Sequence, residues 1–220
     1  MGLLACLSLF LVIAAISISG LIRNKCFLFL GINYFTNLLC NLQLLGYLQT
    51  QKEILHASEI ISNFIDPPFT ILFLSYFVTS KTFLKKMQLI SIILLALSLI
   101  LLTILGAYLS NRIIMPVGIM ITFGFCLHLL YKQIKTLIIR RKLTGKFLLI
   151  SSIAFAYACY TSISLSVYWL LLEGAAESQI ILFLVIITSS LPLAIGIVLE
   201  GRRYHLLRKW KTLRNNIKGL

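Results

Sequence analysis

Apolar residues occur along this chain in seven long, continuous runs that are separated by short polar stretches. A membrane-spanning α-helix needs about 20 apolar residues to cross a hydrocarbon layer roughly 30 Å thick, and each run is close to that length. The runs do not alternate between apolar and polar positions, as the strands of a membrane barrel do. The pattern therefore predicts seven transmembrane helices, at about residues 2–22, 26–48, 55–80, 87–109, 113–131, 147–172 and 179–199.

These runs predict an all-α fold: a polytopic seven-helix bundle at residues 1–200, followed by a basic amphipathic tail at residues 201–220. Helices satisfy their own backbone hydrogen bonds in hydrocarbon, which isolated strands do not. The first run lacks the basic start and the small-residue cleavage motif of a signal peptide, so we expect it to remain as a helix. The longest connector, residues 132–146, is too short to fold as a separate domain.

Basic residues fall almost entirely on one side of the bundle when the seven helices alternate in direction. Of the 20 lysine and arginine residues, all but Lys52 and Arg112 lie in connectors or the tail on the same side. Positive charge is retained on the cytoplasmic side during membrane insertion. The distribution predicts an external N-terminus and a cytoplasmic C-terminus in a multi-pass protein of the cell membrane, with the bacterial inner membrane as the expected location.

Composition narrows the functional classes. The chain is 60% hydrophobic and 12% charged, which is about half the charge of a soluble domain. Its net charge of +14 would suggest nucleic acid in a soluble protein, but here the connectors and tail account for it, so no nucleic-acid partner is expected. The five cysteines form no CxxC pair and no Cys/His spacing suited to zinc. We predict no metal, no other cofactor and no catalytic residue, and an enzyme is not the favoured interpretation.

One acidic residue, Asp66, lies deep in the third predicted span. It is fifteen residues from Lys81, or about 22 Å at 1.5 Å per residue, which places it within the hydrocarbon layer. Pro67 and Pro68 follow it, and Asp-Pro is typical of a helix start, because the carboxylate caps free N–H groups and proline fits the first helical position. Two interpretations stay open. Either the span breaks or kinks sharply at a functional carboxylate, or Asp66 caps a helix that begins late, after a surface segment at residues 55–65.

Polar residues of other spans fall at a similar depth. Asn33, Asn37 and Asn41 recur every four residues in the second span and share one helix face. Tyr157 and Tyr160 share a face of the sixth span, about 16 and 21 Å from its basic end by the same rise, and the seventh span carries hydroxyls at residues 188–190. The alternative is that these groups only hydrogen-bond between helices. The predicted ligand or ion site consists of Asp66, Asn37, Asn41, Tyr157 and Tyr160.

The last twenty residues combine basic side chains with apolar residues at three- and four-residue spacing. This pattern is typical of an amphipathic helix that lies on an anionic inner leaflet, and Trp210 suits the membrane interface. The alternative is a frayed tail whose charge only sets the orientation. With Gly201 ending the last span, the predicted surface contacts are Arg202, Arg203, Arg208, Lys209, Trp210, Lys211 and Arg214.

Seven spans with an acid in the third resemble the microbial rhodopsins in topology only. A retinal Schiff base is excluded, because no lysine lies between Gln179 and Leu199. The favoured expectation is a receptor-like, sensory or scaffold module that binds a small ligand, a lipid or a partner protein, with a separate protein carrying any output. The alternative is a small transporter or channel with an intramembrane polar site around Asp66.

Overall fold

The structure is a computed structural model that describes residues 1–48, 52–140, 144–166 and 175–218. The regular elements in these ranges are all helical, and the all-α prediction is confirmed for them. Two short 3-10 turns, Leu21–Arg23 and Ser75–Phe77, follow the first and third α-helices. The α-helices are α1 (Gly2–Ile18), α2 (Lys25–Leu44), α3 (Lys52–Leu74), α4 (Lys81–Arg140), α5 (Gly145–Ser164) and α6 (Ala175–Lys218).

Six helical segments are long and apolar enough to cross a membrane, which indicates a multi-pass membrane protein. The first helix, α1, is also apolar but has only 17 residues. Large apolar side chains remain exposed along these segments, such as Phe10, Ile104 and Ile195, as expected where lipid is the surrounding solvent. The six segments are Lys25–Leu44, Ala57–Phe77, Lys81–Gly106, Ile113–Lys135, Gly145–Ser164 and Gln179–Leu207.

The fourth helix, α4, is a hairpin that reverses at Gly106, where the backbone leaves the helical region (φ 74°, ψ 172°). Glycine allows this positive φ because it has no Cβ atom. The Ser110 hydroxyl donates to the Leu101 carbonyl at 2.6 Å, across the reversal. Far from the tip, Phe83 packs against Phe125, with 5.9 Å between ring centroids. The two arms, Lys81–Gly106 and Ile113–Lys135, are therefore antiparallel, and the chain turns three residues before the predicted end of the fourth span at 109.

The third helix runs through Pro67 and Pro68 without interruption. The predicted break at Asp66 is therefore wrong, and so is the alternative of a helix that begins there, because α3 starts at Lys52. Each proline removes one backbone hydrogen bond, but both arms of α4 support the helix at this point. The Ser91 hydroxyl donates to the Pro68 carbonyl at 2.9 Å, and Gly118 lets the second arm approach the Pro67 ring closely.

The last helix, α6, continues through Gly201 to Lys218. The predicted tail therefore continues the helix of the predicted last span without a break at Gly201. The end of the membrane span and the tail's contact with lipid remain predictions. Gly201 serves for close packing: a Cβ atom there would lie 2.5 Å from the Cβ of Ser19 at the end of α1. A ring nitrogen of His205 then lies 3.1 Å from the Ser19 carbonyl oxygen. Tertiary contact with α1 thus overrides the helix-ending preference of glycine.

The helices alternate in direction, so contacts gather at two ends of the bundle. At one end, which we call the Leu44 end, Gly2 packs against Leu45, and the Cys40 thiol donates to the Ser58 carbonyl at 3.4 Å. At the other, which we call the Glu200 end, the Lys146 ammonium lies 5.3 Å from the centroid of the Tyr76 ring.

A solid apolar layer lies just above the Glu200 end. Its largest members are Phe27 of α2, Phe73 and Leu74 of α3, Leu149 of α5 and Leu193 of α6, all with no exposed surface. They belong to one continuous cluster, and we call them the core plug. Four helices therefore meet here without a gap, whereas the polar residues lie one or two turns further toward the Leu44 end.

Gly118 provides a test of the contact between α3 and α4. A Cβ atom at Gly118 would lie 2.9 Å from Pro67 Cγ, whereas Gly124 on the same arm has nothing within 4 Å. Because a proline ring does not swing aside, Gly118→Ala should lower the apparent melting temperature, by overpacking that costs about 1–3 kcal/mol. Gly124→Ala should leave it unchanged or raise it, since alanine favours a helix by about 0.5–1 kcal/mol. Thermal unfolding of the purified protein in detergent measures both, and equal shifts would contradict the close packing.

Candidate functional site

The Asp66 carboxylate of α3 is held by one group from each of two neighbouring helices. The Asn33 amide of α2 donates to Oδ1, and the Tyr157 hydroxyl of α5 donates to Oδ2 at 2.8 Å. Asn33 is 2% exposed and Tyr157 3%, so both bonds form away from the lipid. A carboxylate at this depth is costly unless it is compensated. The two contacts join α2 and α5 to α3 through the Asp66 side chain.

Thr70, one turn after Asp66, closes the hydrogen bonds into a ring. Its Oγ1 lies 3.4 Å from the Asn33 amide nitrogen and 3.0 Å from the Tyr157 hydroxyl oxygen. Because the Tyr157 proton points to Asp66, the Thr70 hydroxyl donates to Tyr157 and accepts from Asn33. The ring therefore runs from the Asn33 amide through the Thr70 and Tyr157 hydroxyls to the Asp66 carboxylate. Each N–H and O–H group in it donates one hydrogen bond. Linked hydrogen bonds of this kind hold a polar site in one arrangement.

The asparagine stripe of α2 extends this ring toward the Leu44 end. The Asn37 amide donates to the Asn33 carbonyl at 3.1 Å, and its Oδ1 accepts from the Ser62 hydroxyl of α3 at 3.1 Å. The Asn41 amide donates to the Asn37 carbonyl at 2.8 Å. Asn37 thus joins α2 to α3 through its side chain, whereas Asn41 bonds its own helix.

A cavity of about 410 Å³ lies between Asp66 and the Leu44 end, and we call it the vestibule. Its polar lining includes Asn37, Asn41 and Ser62, and the exposed Glu59 also contributes. Apolar side chains such as Phe183 of α6 form other parts of the wall. Among the described residues that line it, two are acidic and none is basic. The described lining of the vestibule is therefore acidic and amphiphilic.

A second, smaller cavity of about 50 Å³ lies on another side of Asp66, and we call it the inner cavity. Asn33, Tyr34 and Tyr157 line it together with Ser189 and Ser190 of α6. Asn37, Asp66, Tyr160 and Ile186 line both cavities. Asp66 keeps part of its surface exposed because it borders both spaces.

The structure brings four of the five predicted site residues close together, and the fifth lies further out. Asp66, Asn37, Tyr157 and Tyr160 surround the inner cavity, and the Tyr160 ring packs edge-on against Tyr157 with 5.8 Å between centroids. Asn41 lines only the vestibule. The prediction missed Asn33 and Thr70, although the i+4 spacing of Thr70 from Asp66 is a signal for a shared helix face.

A second buried acid, Glu200, was also missed, since it lies just beyond the predicted last span at residues 179–199. It is 3% exposed and accepts from the Tyr76 hydroxyl at 2.9 Å. Arg203, one turn later, lies 3.3 Å from the same carboxylate oxygen. Glu200 therefore has a cationic partner within its own helix, unlike Asp66.

The predicted surface residues of the tail are only partly described. Arg202, Arg203 and Lys209 are exposed, and Trp210 is 70% exposed. The side chains of Arg208, Lys211 and Arg214 lie outside the described residues. Contact with anionic lipid remains a prediction.

No protein-family model, no curated protein and no solved structure matches this chain. The functional conclusion therefore rests on the chemistry of the site itself. Its main elements are a carboxylate with neutral donors, hydroxyl and amide groups, and two adjoining cavities.

Tyr157 and Tyr160 allow a matched test of the hydrogen-bonded ring. Tyr157→Phe removes the hydroxyl that bonds Asp66, whereas Tyr160→Phe keeps the ring contact and removes a hydroxyl for which the described residues show no partner. We expect Tyr157→Phe to lower the free energy of unfolding by about 1–2 kcal/mol and Tyr160→Phe to change it little. Unfolding of the purified variants in mixed micelles measures both, and equal losses would show that the Asp66 contact does not organise the site.

Proposed function

We propose that this chain is a receptor-like membrane module that binds a small amphiphilic ligand in the vestibule. The ligand would present a cationic or hydrogen-bond-donating group to Asp66 and an apolar body to the α6 wall. The proposal includes seven spans with α1 as the first, an external N-terminus and a cytoplasmic C-terminus. It also includes output through α6 to a protein partner or to anionic lipid.

The observation that carries the proposal is the set of partners around Asp66. Within the described residues its hydrogen-bond donors are the neutral groups of Asn33 and Tyr157, and no basic side chain pairs with it. An ionised carboxylate in a low-dielectric site attracts a positive charge strongly. The vestibule leads to this carboxylate and is lined by no described basic residue, so its charge favours a cationic ligand.

Size and lining also support a ligand site. Small-molecule sites typically have volumes of about 300–1,000 Å³ and combine apolar walls with a few well-placed polar groups. The vestibule, at about 410 Å³, has this combination. Asn37 and Asn41 offer donors and acceptors on one side, while Leu182 and Phe183 offer apolar contact on another.

The proposed orientation is supported by the grouping of charge at one end of the bundle. The Lys146 ammonium lies near Tyr76 there, and Arg203 lies against Glu200. The Lys132 ammonium lies 5.4 Å from the Phe83 ring centroid in the same region. Under the positive-inside rule the Glu200 end faces the cytoplasm, and the vestibule then faces outward.

A transporter is the second candidate, because Asp66 borders a cavity on two of its sides. Transport would need a continuous path to the Glu200 end in another conformation. In this conformation the core plug fills that space with side chains that have no exposed surface. The closed plug favours binding over passage.

Native Cys40, which lines the vestibule, provides the test. Membrane-impermeant methanethiosulfonate reagents, one with a trimethylammonium group and one with a sulfonate group, would be applied to intact cells. Relative to a free thiol in solution, we expect the cationic reagent to modify Cys40 about tenfold faster than the anionic one, because that ratio needs a difference of only about 1.4 kcal/mol, which an acidic lining can supply. Asp66→Asn should reduce this preference, and Glu59→Gln should reduce it as well, because Glu59 follows Ser58, whose carbonyl accepts from the Cys40 thiol. An Asp66→Asn variant that keeps the full preference would show that Asp66 does not supply the charge.

The Cys40→Ser variant measures the background labelling of the other cysteines. Protection of Cys40 in intact cells, together with labelling in inverted vesicles, would contradict the proposed orientation. Equal modification rates for the two reagents, each divided by its rate with a free thiol in solution, would contradict a vestibule that selects cations.

A further inference from the structure

The inner cavity contains a buried hydroxyl that its surroundings do not satisfy. Ser190 is 1% exposed, and its Oγ has no hydrogen-bond partner in the described part of the chain. Tyr34 of α2 lies close to it, without the geometry of a hydrogen bond. Buried hydroxyls are nearly always bonded to protein or to a bound species. The same cavity is bordered by Asp66.

This cavity has room for a small ion or a few water molecules. A cavity needs a volume of roughly 10–15 Å³ to hold one water molecule, and the inner cavity has about 50 Å³. The space lies between α1, α2, α3, α5 and α6, beside the hydrogen-bonded ring that positions Asp66. Its position and size therefore suit a species much smaller than a ligand of the vestibule.

The charge of Asp66 bears on whether the inner cavity holds an ion or water alone. Water satisfies hydrogen bonds, but when Asp66 is ionised water leaves its negative charge uncompensated, and a buried unpaired charge is strongly unfavourable. Among the described residues, Asp66 is the one carboxylate that borders the inner cavity, so one positive charge neutralises it, whereas a divalent ion would leave an excess. The donors are carboxylate, hydroxyl and amide oxygens, which suit a hard cation.

We propose that the inner cavity is a binding site for a small monovalent cation, of which Na⁺ is the test ion. Asp66 supplies the charge, and Ser190 and Tyr34 supply neutral oxygen ligands, with water completing the coordination. The site goes beyond the proposed ligand function and does not depend on it. Because a cation here and a cationic ligand in the vestibule would share one carboxylate, each weakens the binding of the other, and the effect is reciprocal.

The experiment uses the purified full chain in nanodiscs, without any vestibule ligand. Its apparent melting temperature would be measured in NaCl and in choline chloride at equal ionic strength. We expect Na⁺ at ten times its dissociation constant to raise the melting temperature by about 3–6 °C. Asp66→Asn should abolish the rise, and Ser190→Ala should weaken the apparent Na⁺ affinity about tenfold, as the loss of one ligand to a charged group implies.

Thr188→Val is the matched control, since its hydroxyl bonds the Leu184 carbonyl of its own helix at 2.7 Å and does not line the inner cavity. It should keep the full Na⁺ effect. Equal melting temperatures in the two salts, for a wild-type chain that is folded, would overturn the proposal. So would an undiminished Na⁺ effect in both Asp66→Asn and Ser190→Ala. Labelling of Cys40 is a separate measurement, so failure of one proposal is distinguishable from failure of the other.

Discussion

A carboxylate placed within a helical membrane bundle has to be compensated, and the compensation of Asp66 organises this molecule. Asn33 and Tyr157 approach it from α2 and α5, so the relative rotation of three helices is fixed by one side chain. Close packing with both arms of α4 holds α3 at the two prolines that follow. The two cavities exist because neutral donors satisfy Asp66 in part without surrounding it.

The comparison with Glu200 shows why the two buried acids differ in role. Glu200 has Arg203 on its own helix and Tyr76 on α3, so its charge is balanced within the chain and it joins helices at the closed end. Asp66 has only neutral donors among the described residues and borders open space. An acid that is neutralised internally fixes a structure, whereas one that lacks a cation leaves a position for it.

Local signals in the sequence predicted the six membrane-length helices well, because length and apolar content alone determine whether a segment suits the bilayer. Predictions that depended on packing were less successful. The prolines at 67 and 68 and Gly201 are helix-ending signals in isolation, but contacts with α4 and α1 keep both helices continuous. The core plug also could not be predicted, since it requires the relative rotation of four helices.

Depth counting along single helices identified the level of the polar site but not its pairs. Asn41 was included in the predicted site with Asp66, yet Asn33 forms the bond, two turns closer to the Glu200 end. Counting from the basic end of each helix ignores tilt and the different heights at which helices begin. An error of two turns, about 11 Å, is enough to exchange one asparagine of the stripe for another.

The continuity of α6 has a mechanical consequence. It is a single helix of 44 residues, or about 66 Å, that is held near its middle where Gly196 meets Gly145 and Gly201 meets Ser19. On one side of this fulcrum, Phe183 and Ile186 form a wall of the vestibule, and on the other, Trp210 extends beyond the bundle. Under the proposed function, a helix supported in this way would act as a lever: a ligand that displaces the vestibule wall outward would move the far arm, at the other face of the membrane, in the opposite direction.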